Sequence, residues 1–199
     1  LNGRLGIVDG LSVLGTTGVV IPFSCSAWIH SIHRSIDVAR AAGIEHAAAA
    51  TGSTSEVAVK TLYNLPEEAL IDMGDFAGGT LKYIRRHPIR RLTVAGGFAK
   101  LGKLGAGLLD LHSKRGRIDL DWMAGYAASS GASALLAKDI REAETAGRAL
   151  QIAKVADFPI GEIVARAARD TALGQVSSAT EVEVLIFDRK GVLVGRCDD

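Results

Sequence analysis

Short apolar segments alternate with longer amphipathic segments along most of the chain. Clusters of Gly, Ser, Thr and Asp separate the two kinds of segment. This alternation is typical of repeated βα units, in which each strand is followed by a helix that packs on the sheet. The pattern therefore predicts an α/β fold with a mostly parallel sheet flanked by helices, as one domain over residues 1–199.

Individual elements follow from the same pattern. Strands are predicted at 5–8, 46–50, 70–73 and 91–95, with a short extended piece at 19–21. The second strand is ambiguous, because four of its five residues are Ala and its position rather than its β propensity favours a strand. Helices are predicted from Ser24 or Ser26 to about Ala42, from the turn and N-cap region Thr51–Thr54 through about Tyr63, and over Phe76–Arg86 and Ala99–Leu109.

The last third of the chain has a different pattern. Residues 119–171 are helical in periodicity, with breaks near Gly131, Thr145 and Pro159, which predicts a helical layer. Two strands, Glu181–Phe187 and Val192–Gly195, then follow. Asp188–Gly191 joins them, and its residue types predict a β-hairpin. The expected architecture is a Rossmann-like sheet with a C-terminal helical layer and hairpin.

Composition narrows the class of partner. The chain has 23 basic and 22 acidic residues, so its charge favours neither nucleic acid nor a membrane surface as a partner. No segment has the length and hydrophobicity of a membrane span, and the start lacks the pattern of a signal peptide. We therefore expect a cytoplasmic protein with a small-molecule ligand. Cys25 and Cys197 are expected to be reduced, and no metal site is expected.

Four loops rich in Gly and small polar residues follow the predicted strands. They are Leu14–Gly18, Thr51–Thr54, Gly74–Gly78 and Ala95–Phe98. Ligands of open α/β sheets bind at the carboxyl ends of the strands, where such loops let a backbone approach closely. Any one loop is explained as a tight turn, but four at equivalent positions predict a shared cleft. Asp75 is suited to hold a ribose diol there.

The segment Asp110–Arg115 concentrates ionisable side chains after a helix. His112 can act as a base near neutral pH with Asp110 orienting it, and Lys114 with Arg115 can attract carboxylates. A polar helix-end cap explains the segment equally well. Trp28 and Trp122 are expected to be packing residues rather than ligand platforms. The GxGxxG and GxxxxGK[ST] fingerprints are absent, which disfavours a standard NAD or ATP site.

Several segments together resemble the cobalt-precorrin-5B (C1)-methyltransferase family. They occur in the family's order: Gly3–Ile7, Leu14–Gly18, Asp37–Gly43, Leu65–Ala69, Met73–Gly78, and Lys100–Lys103 through His112-Ser113. The resemblance spans at least residues 3–113 and is weaker beyond. It departs from the family at Ser53, where Asn is common, and at Gly97–Ala99, where His-Pro-Gly is frequent. No role of that Asn or His is carried over.

The resemblance implies S-adenosyl-L-methionine-dependent methylation of ring carbon 1 of a cobalt-precorrin, in anaerobic cobalamin biosynthesis. We place the donor against Thr16, Thr17, Gly18, Gly52, Gly74, Asp75, Gly96 and Gly97. Side chains suited to position the macrocycle, through its carboxylates, are Lys100, Lys103, Ser113, Lys114 and Arg115. His112, oriented by Asp110, is the candidate catalytic base.

Family members carry a further α+β domain before this region. We therefore expect the chain to be the C-terminal portion of a longer two-domain enzyme, whose missing N-terminal domain is a partner, so that the chain alone need not be active. A homo-oligomer is compatible with the sequence. Two rival functions stay open: an NAD(P)-dependent oxidoreductase with an unusual fingerprint, and a noncatalytic module that binds corrinoid without the methyl donor.

Overall fold

The computed structural model describes residues 24–112 and 118–198. Its helices are α1 Cys25–Ala41, α2 Ser53–Tyr63, α3 Ala77–Arg86, α4 Phe98–Gly105, α5 Leu120–Ser129, α6 Ala134–Arg141, α7 Ala146–Val155 and α8 Ile160–Leu173. Its strands are β1 His46–Ala50, β2 Leu70–Asp72, β3 Arg91–Gly97, β4 Glu181–Phe187 and β5 Leu193–Cys197. The strand predicted at 5–8 and the extended piece at 19–21 lie outside the described residues.

The five strands form one sheet in the order β2-β1-β3-β4-β5. β1 pairs in parallel with β2 on one side and with β3 on the other, and β4 pairs in parallel with β3. Only β5, the second strand of the predicted hairpin, is antiparallel. The mostly parallel sheet is therefore confirmed for the described part of the chain, while the Rossmann-like assignment stays a prediction.

Alternate residues of the strands face two separate apolar cores. One core lies under α2 and includes Ala48, Ala50 and Leu185. The other lies under α1, α3, α4 and α8 and includes Ala49, Val94 and Ile186. The alanines of β1 are fully or almost fully buried. Because β1 has helices over both faces, its small side chains let those helices approach closely, which explains a strand built from residues of weak β propensity.

Helix α1 matches its prediction, since Ser24 caps it by accepting a hydrogen bond from the Ala27 N–H at 3.3 Å. Ile32, Ile36 and Ala39 form its buried stripe. The prediction for α4 was wrong at its end, because the helix stops at Gly105 rather than Leu109. The turn after it includes Gly107, at φ +87°, a conformation that favours glycine and leads the chain back toward α3.

The predicted helical layer and hairpin are confirmed. Helices α5, α6 and α7 follow one another and pack outside α4 and α8, with breaks at the predicted positions. Helix α8 in turn lies directly on β5. Gly161 and Gly195 make this contact, and a Cβ on either residue would overlap the backbone of the other element. Two glycines facing each other thus let α8 lie backbone to backbone on the edge strand.

A buried carboxylate, that of Glu183, ties α2 to three strands. Its side chain is 2% exposed and accepts hydrogen bonds from Tyr63 Oη at 2.6 Å and Thr93 Oγ1 at 2.7 Å. Arg91 and Arg196 pair with its two oxygens at 3.2 and 3.0 Å. Thr93 uses its only proton on Glu183, so His46 donates to the Thr93 hydroxyl from Nε2 at 2.8 Å. The sequence pattern gave no sign of this network.

Among residues 24–112 and 118–198, no helix has both the length and the apolar character that crossing a membrane requires.

We expect Tyr63→Phe to lower the free energy of unfolding by about 1–2 kcal/mol, because it removes a hydrogen bond to a buried charge. Urea denaturation measures the change. The matched control is Tyr126→Phe, since the Tyr126 ring stacks on Trp122 and its hydroxyl makes no hydrogen bond within the described residues. Equal effects of the two substitutions would show that the hydrogen bond from Tyr63 to Glu183 does not stabilise the fold.

His46 makes the stability of the fold depend on pH, and the direction of its shifted pKa gives the sign of that dependence. Burial, helped by the charge of Arg91, lowers the pKa of His46 below its usual value of 6.5. The folded state therefore prefers neutral His46. The stability that depends on neutral His46 is fully present above pH 6.5 and is lost as the pH falls through the folded-state pKa. We expect His46→Gln to lose less stability than the unmutated chain between pH 7.5 and pH 5 in urea unfolding. A parallel loss in both proteins contradicts the assignment.

Candidate functional site

Three of the four predicted loops meet at one edge of the sheet. β1, β2 and β3 are parallel neighbours, so the residues after them, Thr51-Gly52 and Gly74-Asp75, lie beside Gly96-Gly97. Backbone hydrogen bonds join them: the Thr51 N–H donates to Ala95 O at 2.9 Å, and the Gly74 N–H donates to Ala50 O at 3.2 Å. We call this set of residues the carboxyl edge. The fourth loop, with Thr16, Thr17 and Gly18, lies outside the described residues.

Lys100, in the first turn of α4, links the three loops. Its ammonium donates to the Thr51 carbonyl at 2.6 Å and lies 3.1 Å from Asp75 Oδ1. That oxygen is buried and accepts no hydrogen bond within the described residues, so the nearby ammonium balances its charge without a directed bond. The Asp75 side chain keeps 24% of its surface exposed. Asp75 is therefore held in place by Lys100 and still open to a ligand.

The segment Leu109–His112 runs along the same edge. The Leu111 N–H donates to Asp75 O at 2.9 Å, and the Gly78 N–H donates to Leu109 O at 2.8 Å. Asp110 Oδ1 accepts from the backbone N–H of His112 at 3.1 Å, so it supports His112 through the main chain. His112 is exposed and lies beside the Asp75 loop. Its role as a base stays a prediction, and Ser113, Lys114 and Arg115 lie outside the described residues.

Lys103 is placed differently from its neighbour Lys100. It is 7% exposed, and its ammonium donates to the carbonyls of Leu111 at 3.0 Å and His112 at 3.4 Å. These bonds hold the Leu109–His112 segment against α4. Sequence reasoning did not predict these bonds, because it extended α4 to Leu109. In a helix of that length, residues 106–109 could not turn back, and Lys103 would lack these carbonyl partners. Its predicted contact with substrate would require this ammonium to leave its buried position.

The three helices that begin at the carboxyl edge lack side-chain caps. They are α2, α3 and α4, whose N-cap residues are Gly52, Phe76 and Gly97. A hydroxyl or carboxylate caps α1, α5, α6 and α7, whereas α8, which begins after Pro159, also lacks a side-chain cap. Helix N-termini carry partial positive charge and N–H donors that suit an anionic group such as a carboxylate. The carboxyl edge thus combines an acid, Asp75, with donors for an anion.

Gly96 and Gly97 have different surroundings although both were predicted to lie in a loop. That prediction was wrong, because both belong to β3 and pair with Ile186 and Phe187. A Cβ on Gly96 would lie 2.7 Å from Thr51 Oγ1 and 3.0 Å from Leu101 Cγ, so this glycine is needed for packing. A Cβ on Gly97, or on Gly52, would meet nothing within 4 Å. These two glycines therefore border open space.

Comparison with known proteins gives two kinds of match. Residues 110–198 match the family model described as CbiD, C-terminal domain. The chain is 62% identical to the cobalt-precorrin-5B C(1)-methyltransferase of Bradyrhizobium sp. (strain BTAi1 / ATCC BAA-1182), over 99% of this chain and 53% of that protein. It is 56% identical to the protein of the same name from Methylorubrum extorquens, over 99% of this chain and 55% of that protein.

The protein of that name from Halorhodospira halophila is 57% identical over 98% of this chain and 53% of its own length. The chain thus spans about half the length of the curated relatives it matches. No solved structure matches it. The resemblance seen in the sequence is confirmed over nearly the whole chain, including the region after residue 113, where it was weaker by inspection.

The two glycines of the carboxyl edge give a matched pair of variants. We expect Gly96→Ala to lower the free energy of unfolding by about 1–3 kcal/mol, because its methyl group crowds Thr51 and Leu101. Gly97→Ala has open space and an ordinary extended backbone, so its effect should stay within about 0.5 kcal/mol. Thermal and urea unfolding measure both. If Gly97→Ala is the more damaging variant, the described packing of this edge is wrong.

Proposed function

We propose that this chain, which is related over nearly its whole length to the cobalt-precorrin-5B C(1)-methyltransferases, is the donor-binding part of such an enzyme. The observation that carries the proposal is the carboxyl edge. Three helix N-termini without side-chain caps lie there around the partly exposed carboxylate of Asp75. S-Adenosylmethionine has a ribose diol and an amino-acid carboxylate. Both groups fit this set of residues.

Each group of the donor has a suitable protein partner at this edge. The exposed part of the Asp75 side chain can accept hydrogen bonds from a ribose diol, and the ion pair with Lys100 holds that carboxylate in position. Backbone N–H groups at the starts of α2 and α4 can bind the donor's carboxylate. Gly52 and Gly97 leave the space that a ligand lying against the backbone needs.

When bound, S-adenosylmethionine supplies the methyl group that is transferred. Transfer from a sulfonium is an in-line displacement, so the protein's main task is to align donor and acceptor and to exclude water. A strong nucleophile in the protein is unnecessary. His112, carried by the segment bonded to the Asp75 loop, stays the candidate for removing a proton from the acceptor.

The proposed acceptor is a cobalt-precorrin, whose carboxylates need cationic partners. Lys100 is engaged with Thr51 and Asp75, and Lys103 with carbonyls, so we infer that both mainly position the site. Lys114 and Arg115 are the predicted contacts for substrate carboxylates. The part of the relatives' length that this chain does not span is inferred to complete the acceptor site, and a cytoplasmic location stays a prediction.

We expect S-adenosylhomocysteine, the demethylated product of the donor, to bind this chain saturably in calorimetry, while NADPH does not bind. Asp75→Asn should raise the dissociation constant by about tenfold or more, because it weakens hydrogen bonds to a charged acceptor. Asp139→Asn, at an exposed position on α6, is the matched control and should bind as the unmutated chain does. Binding of NADPH in place of the product would favour the oxidoreductase alternative.

A second variant tests the position of the ligand without changing charge. Gly97→Val should fold with nearly unchanged stability and lose at least tenfold in affinity for S-adenosylhomocysteine, because its side chain fills the open space beside α4. Circular dichroism and calorimetry give the two readouts. Unchanged affinity in both Gly97→Val and Asp75→Asn would place the donor elsewhere. Corrinoid binding without donor binding would support the noncatalytic alternative.

A further inference from the structure

Trp28 is a large apolar side chain that the fold leaves half exposed. It lies in the first turn of α1, and 46% of its surface is accessible. Its indole Nε1–H donates to Asp72 O, the last residue of β2, at 3.2 Å. This bond fixes the ring at the end of a strand of the carboxyl edge. Sequence reasoning expected a packing residue, and the ring does pack on Gly74 and Phe76, but nearly half of its surface stays accessible.

Gly74 packs closely against one side of this ring. A Cβ on Gly74 would lie 3.2 Å from Cζ2, 3.4 Å from Cε2 and 3.6 Å from Nε1 of Trp28. These three atoms are consecutive along one side of the indole, so Gly74 packs against that side of the ring. Gly74 also has φ +55°, which an L side chain rarely adopts. Phe76 borders the indole at a centroid distance of 6.2 Å and a tilt of 47°. The exposed surface of the ring therefore lies away from Gly74.

The indole and the carboxylate of the carboxyl edge are neighbours. Gly74, which packs on Trp28, is followed directly by Asp75, which Lys100 holds from the other side. Two such partners side by side suit a nucleoside, because its base can stack on an aromatic ring while its ribose hydroxyls bond to an acid. The neighbouring positions of Trp28 and Asp75 supply both.

We infer that Trp28 is the stacking platform for the adenine ring of the donor, with the ribose diol on Asp75. The inference rests on the proposed function and adds to it a residue that binds the purine. The corrinoid macrocycle is the poorer occupant of this position, because its carboxylate arms would lie beside the carboxylate of Asp75. A neutral purine meets no such repulsion.

The chain has two tryptophans, Trp28 and Trp122, so replacing one of them leaves the other as the single tryptophan emitter. In Trp122→Phe, Trp28 is the remaining emitter, and saturating S-adenosylhomocysteine should change its emission. In Trp28→Phe, where Trp122 remains stacked on Tyr126 away from the edge, the same titration should leave emission unchanged. A cobalt corrinoid that changes Trp28 emission while S-adenosylhomocysteine does not would overturn the inference and assign the platform to the macrocycle.

Calorimetry supplies the affinity. Trp28→Leu should raise the dissociation constants of S-adenosylhomocysteine and of adenosine about tenfold, and Trp28→Phe should raise them less, because a smaller ring keeps part of the stacking. Trp122→Phe should match the unmutated chain. Circular dichroism confirms that each variant folds. Unchanged affinity in a folded Trp28→Leu overturns this inference alone, whereas failure of the unmutated chain to bind S-adenosylhomocysteine overturns the proposed function with it.

Discussion

The parallel pairing of β1 with β2 on one side and β3 on the other is the constraint on which the candidate site depends. Parallel neighbours end at the same edge, so three loops far apart in sequence become adjacent. The chain leaves β1 toward β2 and returns to β3 on the opposite side of β1, and ligands of open α/β sheets bind at such a point of the sheet. Lys100 joins the loops after β1 and β2 at this point, through the Thr51 carbonyl and the Asp75 carboxylate.

Local sequence patterns predicted much of the fold. The alternation of strands and helices, the Ser24 cap and the hairpin turn at Asp188–Gly191 all depend on interactions between residues close in sequence, and the structure confirms them. The gathering of the Gly-rich loops was also predictable, because it follows from parallel pairing alone. The binding roles of those loops stay predictions.

Features set by long-range contacts were not predictable in this way. The burial of Lys103 depends on a segment that returns only because α4 ends early at Gly105. Glu183 is one residue of an ordinary alternating strand, and its partners come from α2, β3 and β5. Trp28 lies in an amphipathic helix, and only the tertiary structure shows its ring over the loop after β2. Glu183 and Trp28 belong to no recognised motif, and the family segment that contains Lys103 does not indicate its burial.

The central claim is that the methyl donor binds at the carboxyl edge, and amide hydrogen exchange with mass spectrometry tests it most directly. With saturating S-adenosylhomocysteine, the account predicts slower exchange in peptides that cover residues 50–56, 73–78 and 96–101. Peptides from α5, α6 and α7, which pack on the far side of α4 and α8, should exchange as before. Slower exchange confined to those three helices, with the carboxyl edge unchanged, would contradict the account.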